Sequence, residues 1–122
     1  MNTIGYFEIQ ANDPEKSVKF YTNVFDWKFT EESGLPIKYW RIETKGIGGG
    51  LLERPAPTPP TECGTNAFTC SIQVENFDAT AETILNNGGQ IAMPKFEIPG
   101  RCWMGYFIDS DHNTFGIFEV IE

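Results

Sequence analysis

The first thirty residues change from a strand-like to a helix-like hydrophobic pattern. Gly5–Gln10 alternates apolar and polar side chains and carries aromatic residues, which predicts a half-buried strand. Asn12 and Asp13 then offer a capping oxygen before Pro14, so a helix is predicted to begin there. Apolar residues recur along this helix at three- and four-residue steps and predict a stripe that packs against a sheet: Val18, Tyr21, Val24 and Phe25.

A run of strand patterns follows this helix and ends in a proline-rich segment. Residues 37–44 alternate without a cleanly apolar face, and residues 46–53 enter another strand through glycines. These glycines favour a bend or bulge; a phosphate-binding loop is the alternative, although no Lys-Ser/Thr pair follows. Residues 54–64 hold four of the eight prolines and show no periodicity, which predicts an extended linker.

The second half of the chain repeats the order of the first. A strand at residues 66–74 leads to a helix at 76–87, with Asn76 or Asp78 as the cap and Gly88-Gly89 as the stop. The remaining segments are predicted as a short strand, a loop, a strand, a polar turn and a last strand: 90–93, 94–101, 102–108, 109–113 and 114–121.

Short sequence matches support a duplication. Ile9-Gln10 precedes the first helix as Ile72-Gln73 precedes the second, 63 residues later. Residues 50–53 match residues 116–119 at an offset of 66. Each half therefore has the pattern strand–helix–strand–strand–strand, and two such halves predict an α+β protein with a duplicated unit building one curved sheet.

Charge and cysteine content narrow the function classes. The net charge of −8, from nine basic and seventeen acidic residues, argues against nucleic acid and anionic membrane surfaces as partners. No apolar run approaches the roughly 20 residues that span a bilayer, and the N-terminus shows no signal-peptide pattern. The three cysteines form no CxxC pair, which favours reduced thiols in the cytoplasm. A nucleophilic cysteine is the alternative, although His112, the chain's one histidine, has no evident pairing with any of them.

Two segments carry a family resemblance that extends over essentially the whole chain. DPEKSVKFYTNVFDWKF at residues 13–29 and DSDHNTFGIFE at residues 109–119 resemble the vicinal oxygen chelate superfamily: glyoxalase I, bleomycin-resistance proteins and extradiol dioxygenases. The second segment is similar to the family's Asp-Pro-Asp-Gly-Asn turn, with Ser110 and His112 in place of proline and glycine. The resemblance implies two βαβββ modules, residues 1–53 and 65–122, that form a cupped mixed sheet. It also implies a homodimer, since a second subunit commonly completes the cup.

The resemblance further implies four positions for a divalent ion. They are Tyr6 and Thr69 on the first strand of each half, and Glu53 and Glu119 on the last. Tyrosine and threonine bind such ions weakly, but Glu8 faces the same side of its strand as Tyr6. A set of Glu8, Glu53 and Glu119 would suit manganese or magnesium better than zinc, and nickel is a further candidate.

The same glutamates allow chemistry without a metal. Carboxylates that face one another in a cup repel and lose hydration, which raises the pKa of at least one. Glu119 or Glu8 would then be a candidate general base. The alternative is that these side chains lie at a solvated edge or pair with Arg41 or Arg101.

Aromatic residues on the predicted strands are candidates for the lining of the cup. With Thr69, the predicted ligand-binding residues are Tyr6, Trp40, Trp103, Tyr106 and Phe115, although core packing explains aromatic residues equally well. Arg101, in the loop after Pro99-Gly100, is a candidate contact for an anionic ligand or an ordinary surface residue.

Three functions are consistent with these features. The first is a glyoxalase-like lyase, isomerase or dioxygenase that acts on a small oxygen-bearing substrate. The second is a metal-free binding or sequestering protein of the bleomycin-resistance type, which Tyr6 and Thr69 favour. The third is a subunit of a larger enzyme with no site of its own. A small-molecule ligand is common to the first two.

Overall fold

The computed structural model describes residues 1–122, except for the side chain of Thr61. The chain divides into two compact units. The first unit is Tyr6–Phe68, and the second combines Met1–Gly5 with Thr69–Glu122. Both contain one α-helix and a mixed sheet, so the fold is α+β and the predicted βαβββ repeat is confirmed.

The first unit contains the helix α1 and most of four strands. The elements are β1 (Thr3–Ala11), α1 (Pro14–Phe25), β2 (Lys28–Glu32), β3 (Tyr39–Glu43) and β4 (Gly48–Glu53). Their order in the sheet is β2-β3-β4-β1, with β4 parallel to β1 and the other pairs antiparallel. A 3-10 turn, Thr61–Cys63, lies in the proline-rich segment.

The second unit repeats this topology. Its elements are β5 (Thr69–Gln73), α2 (Phe77–Asn86), β6 (Gln90–Ile98), β7 (Cys102–Ile108) and β8 (Thr114–Val120). The strand order is β5-β8-β7-β6, and β5 runs parallel to β8. The parallel pair joins the first and last strands of the repeat, as β1 and β4 do in the first unit.

Both helices begin at the predicted caps. The Asp13 carboxylate accepts a hydrogen bond from the Lys16 amide at 3.3 Å, and Pro14 is the first helical residue. The Asn76 side chain accepts from the Ala79 amide at 2.9 Å. Each contact satisfies an amide that has no partner within its helix, which is why these residue types mark helix starts.

Each helix covers one face of the sheet in its own unit, here called the helix face; the opposite side is the helix-free face. In the first unit Phe7, Ile9 and Leu51 are buried on the helix face, and Trp40 and Ile42 join them. Val74, Phe77, Phe107 and Ile117 form the buried core of the second unit. Burial of each large apolar side chain contributes roughly 1.5–3 kcal/mol to folding.

The apolar stripe of α1 differs from the prediction in its last turn. Val18 and Tyr21 pack against the core as expected. Val24 and Phe25 are instead exposed, because Trp27 and Phe29 beyond the helix end pack against the core in their place.

Strand β6 is longer than predicted. It continues from residue 90 to residue 98, through Pro94, where a loop was expected. Proline cannot donate to a strand ladder, but β6 is outermost in its unit and its register with β7 shifts on both sides of Met93. An outer, bulged strand tolerates proline where a central strand would not.

The helices of the described chain are short. α1 has 12 residues and α2 has 10, and no helix in the described part of the chain is long and apolar enough to cross a membrane. Cys63, Cys70 and Cys102 are all free thiols.

Candidate functional site

Strand alternation places a row of polar residues on the helix-free face of the first unit. Phe7 and Ile9 are buried under α1, so Glu8 between them projects to the other side. Glu8 is in register with Gly50, and Gly50 is in register with Arg41. The carboxylate and the guanidinium therefore flank a position that has no side chain.

Two tyrosines fill the space above that glycine. The hydroxyls of Tyr6 and Tyr39 lie 2.5 Å apart, and the Tyr39 hydroxyl donates to Glu8 Oε2 at 3.4 Å. Either hydroxyl can be the donor in the shorter contact, and the longer contact links the pair to the carboxylate. All three side chains are half-buried. We call Tyr6, Tyr39 and Glu8 the tyrosine–glutamate cluster.

Gly50 is required by the position of these hydroxyls. A Cβ atom at residue 50 would lie 1.9 Å from the Tyr39 hydroxyl oxygen and 2.8 Å from that of Tyr6. At Gly48, one step along the same face, the nearest atom to such a Cβ would be the Ile42 carbonyl oxygen at 3.6 Å. A side chain therefore does not fit at position 50, whereas one does fit at position 48.

An ion pair borders the cluster on the β2 side. The Arg41 guanidinium contacts the Glu32 carboxylate through Nε. Glu32 is in register with Tyr39 and lies on the same helix-free face. The helix-free face of the first unit thus presents two phenol hydroxyls, two carboxylates and one guanidinium on neighbouring strands.

The three glutamates predicted to bind a metal do not come together. Glu8 is on the helix-free face, whereas Glu53 is in register with Ala11 on the helix face of the same unit. In the second unit, Glu119 Oε1 accepts a hydrogen bond from the Phe77 amide at 2.6 Å, so it caps the start of α2 on the helix face. Among the described residues no three acidic, histidine or cysteine side chains are placed to hold a metal ion.

The physical reason for this correction is strand alternation. Glu53 and Glu119 each lie three residues after a glycine of the helix-free face, Gly50 or Gly116, and an odd spacing places a side chain on the opposite face. The predicted set of manganese or magnesium ligands therefore does not fit this structure. Glu119 also borders an open depression in the second unit, which is lined by Trp103 and by residues 120–122.

The predicted ligand-binding residues divide between the two faces. Three of them lie on the helix-free face of their own unit: Tyr6 in the first unit, and Thr69 and Tyr106 in the second. The centroid of the Tyr106 ring is 6.5 Å from that of the Phe96 ring. The other three are predicted to line the cup, but in the structure they pack against the core on the helix face of their own unit: Trp40, Trp103 and Phe115. The Lys95 ammonium lies 4.6 Å from the Trp103 ring centroid.

Arg101 and His112 lie in exposed turns. Arg101 follows Gly100 in the turn between β6 and β7, where its amide donates to the Ile98 carbonyl at 2.9 Å. Burial raises the pKa of the neighbouring Cys102 thiol, and the Arg101 charge opposes this with a smaller effect. His112 has a positive φ of 65°, and its amide donates to the Asp109 carbonyl at 3.1 Å.

The sequence prediction missed Tyr39 and Gly50. A signal for Gly50 was present, since the repeat aligns it with Gly116. In the second unit Gly116 is in register with Ser71 and Tyr106, as Gly50 is with Glu8 and Arg41. Ser71, which is completely buried, therefore stands at the position that corresponds to Glu8, and the second unit has no carboxylate there.

Comparison with known proteins gives the same fold over nearly the whole chain. A hypothetical protein, BH1468, from Bacillus halodurans is similar with a TM-score of 0.74 and 15% identity, covering 98% of this chain and 95% of the other. Methylmalonyl-CoA epimerase from Mycobacterium tuberculosis is similar with a TM-score of 0.72 and 10% identity, over 98% of this chain and 89% of the other.

Relatives are also found by sequence. "Putative glyoxylase CFP32" of Mycobacterium tuberculosis is 25% identical over 97% of this chain, which spans 46% of that relative's length. A "Glyoxylase-like domain-containing protein" of Didymella fabae is 27% identical over 93% of this chain and 91% of the relative. The family profile described as Glyoxalase/Bleomycin resistance protein/Dioxygenase superfamily matches residues 3–117. The chain therefore belongs to the Glyoxalase/Bleomycin resistance protein/Dioxygenase superfamily.

Proposed function

We propose that this chain binds a small oxygen-bearing molecule on the helix-free face of its first unit. The observation that carries the proposal is the hydrogen-bonded chain from Tyr6 through Tyr39 to Glu8, held above Gly50. Phenol hydroxyls donate to carbonyl oxygens, and a carboxylate accepts from hydroxyl groups. A ligand with neighbouring carbonyl and hydroxyl oxygens matches both.

Site variants test this binding. A panel of small hydroxycarbonyl compounds is screened by ligand-observed NMR, and the compounds that bind are then titrated against Tyr39→Phe and Glu8→Gln. Each variant removes one polar partner, worth roughly 1–1.5 kcal/mol, so affinity falls about tenfold.

Matched controls use residues of the same type outside the cluster. Tyr21→Phe changes a tyrosine of α1 that packs on the helix face, and Glu43→Gln changes an exposed glutamate of β3. Both are expected to bind as the wild type does. Ligands that bind equally well to Tyr39→Phe, Glu8→Gln and the wild type would place the site elsewhere.

Proton transfer by Glu8 is a second candidate function, as in a lyase or isomerase. The observation that favours it is the contact between the Glu8 carboxylate and a phenol that is itself hydrogen-bonded to a second phenol. Glu8 would remove the proton from the hydroxyl-bearing carbon next to the ligand carbonyl and return it to the former carbonyl carbon. A tyrosine hydroxyl would give its proton to the carbonyl oxygen and regain one from the ligand hydroxyl, whose carbon becomes the new carbonyl.

Deuterium exchange separates turnover from binding. Protein and ligand are mixed in D₂O, and loss of the C–H signal is followed by NMR. Exchange that disappears in Glu8→Gln while Glu43→Gln retains it would support the enzyme. Binding without exchange would leave the metal-free binding protein as the function.

The other expectations from the resemblance stay predictions. Since the predicted ligands lie on opposite faces, no step of the proposed reaction uses a divalent metal. Dioxygenase chemistry rests on the resemblance alone. A homodimer is proposed on the same basis, and sedimentation analysis tests it.

A further inference from the structure

Arg41 is the charged residue that lies across Gly50 from Glu8. The register places Gly50 between the two on the helix-free face of the first unit. Neighbouring strands are about 4.8 Å apart, so the backbones of Glu8 and Arg41 are about 10 Å apart. The Glu8 carboxylate reaches into this interval, because its Oε2 atom lies 3.4 Å from the Tyr39 hydroxyl above Gly50. The interval therefore has an anion on one side and a cation on the other.

The ion pair with Glu32 leaves part of the Arg41 guanidinium accessible. Arg41 contacts the Glu32 carboxylate through Nε, and Glu32 belongs to β2, on the side of Arg41 away from Gly50. The Arg41 side chain is 44% exposed. A guanidinium has five N–H donors, of which Nε supplies one. Arg41 thus has donors for a second carboxylate in addition to that of Glu32.

Lys28 is another cation on this face, but it lies further from the tyrosine–glutamate cluster. It is on β2 in register with Glu43, whereas Arg41 is in register with Thr30, two residues further along β2. Lys28 is therefore one strand further from Gly50 than Arg41 is, and it lies opposite a carboxylate. Arg41 is the better placed of the two cations to contact a ligand at the cluster.

We propose that Arg41 selects ligands with a carboxylate, so that the first unit binds a short α-keto acid with a hydroxyl group on the carbon next to its keto group. This inference rests on the proposed function and adds the substrate class. The ligand groups follow the order of the row: Glu8 accepts from the hydroxyl, a tyrosine hydroxyl donates to the keto oxygen, and Arg41 binds the carboxylate. A carboxylate is favoured over a phosphate, because it brings less negative charge to a face that already has Glu8 and Glu32.

A matched pair of compounds tests the inference. Hydroxypyruvate has the three groups in this order, and dihydroxyacetone has a neutral hydroxymethyl group in place of the carboxylate. In titrations of the full chain followed by NMR, hydroxypyruvate should bind about tenfold more tightly than dihydroxyacetone. Arg41→Met should remove this difference by weakening hydroxypyruvate alone. Lys28→Met, which removes a cation from the same face, should preserve the difference.

Glu32→Gln distinguishes ligand recognition from a structural role of the ion pair. The variant removes a negative charge that competes for Arg41, so hydroxypyruvate should bind about two- to fivefold more tightly and dihydroxyacetone as before. An ion pair that only aligned β2 with β3 would give a different result, because Glu32→Gln and Arg41→Met would then weaken both compounds alike. That result would contradict the inference. Circular dichroism confirms that each variant is folded.

The same titrations separate this inference from the proposed function. Equal affinity for the two compounds, with both weakened in Tyr39→Phe, would overturn the selectivity for a carboxylate and leave the proposed site in place. Hydroxypyruvate binding that is lost in Arg41→Met but unchanged in Tyr39→Phe and Glu8→Gln would overturn the proposed function and the inference with it, as would a chain that binds neither compound. Tighter binding of dihydroxyacetone phosphate than of hydroxypyruvate would show that the selected group is not a carboxylate.

Discussion

Gly50 is the residue on which the geometry of the tyrosine–glutamate cluster depends. The hydroxyls of Tyr6 and Tyr39 meet where a side chain at position 50 would project. Glycine is used here because it lacks a Cβ atom, not because its backbone is unusual, since its φ is not positive. A close approach of side chains to a strand backbone is a known reason for glycine within a sheet.

Replacing Gly50 with alanine is expected to displace Tyr39. The added methyl group overlaps the tyrosine hydroxyl, and such overpacking lowers the free energy of unfolding by about 1–3 kcal/mol. Urea unfolding measures the loss. Gly48→Ala on the same strand face is the control, and its free energy should not fall, because the space beside it accepts a methyl group. Equal stability of the two variants would contradict the geometry of the cluster.

Glu119 is expected to act as a helix cap. Glu119→Ala removes the acceptor of the Phe77 amide, and loss of a capping contact costs about 1–2 kcal/mol of unfolding free energy. Chemical denaturation measures the change. Glu82→Ala, at an exposed position within α2, should change the stability by less than about 0.5 kcal/mol. A Glu119→Ala variant as stable as the wild type would argue against the capping role.

At the scale of elements, capping residues and turns were the most predictable features. Asp13 and Asn76 mark helix starts because their short side chains accept from amides only a few residues away. The turn at residues 109–113 is local in the same way, since the Asp109 carboxylate accepts from the amides of Asp111 and Asn113 at 2.8 and 2.9 Å. Strand β6 was less predictable, because its tolerance of Pro94 depends on its place in the sheet.

The turn between β7 and β8 is expected to give an acid-dependent contribution to stability. Hydrogen bonds from the Asn113 and Asp111 amides lower the pKa of Asp109 in the folded chain. A lowered folded-state pKa stabilises the fold above the unfolded value, about 3.9, and this contribution is lost as pH falls through the folded-state pKa. In denaturation measured from about pH 6 down to pH 3, Asp109→Asn should lose less stability than the wild type. The same slope in both proteins would contradict this.

At the scale of the whole molecule, we expect that Glu8, Glu53 and Glu119 do not bind a divalent metal together, so such a metal should not stabilise the fold through them. Glu8 and Glu53 lie on opposite faces of one sheet, and Glu119 is hydrogen-bonded to the start of α2. Addition of manganese or magnesium, or removal of metal with EDTA, should therefore leave the melting temperature unchanged. A rise with manganese that is absent in Glu8→Gln would show that Glu8 binds the ion after all.

The sequence by itself determined the elements, their order, the duplication and the family. These features follow from local periodicity, from caps whose partners are three residues away, and from a repeat that can be read without knowing any contact. The acidic residue that matters most in the candidate site, Glu8, was also identified, since its position two residues after Tyr6 places both on one strand face.

The tertiary structure alone decided which side chains share a face with Glu8. In residues 37–44 neither face was cleanly apolar, so the alternation could not show that Trp40 is buried and Tyr39 faces the site. The hydroxyls of Tyr6 and Tyr39 belong to residues 33 positions apart, and their contact depends on the register of β1, β4 and β3. Register is a property of strand pairing, and a shift of one residue reverses the face of every side chain, which is why local sequence could not supply it.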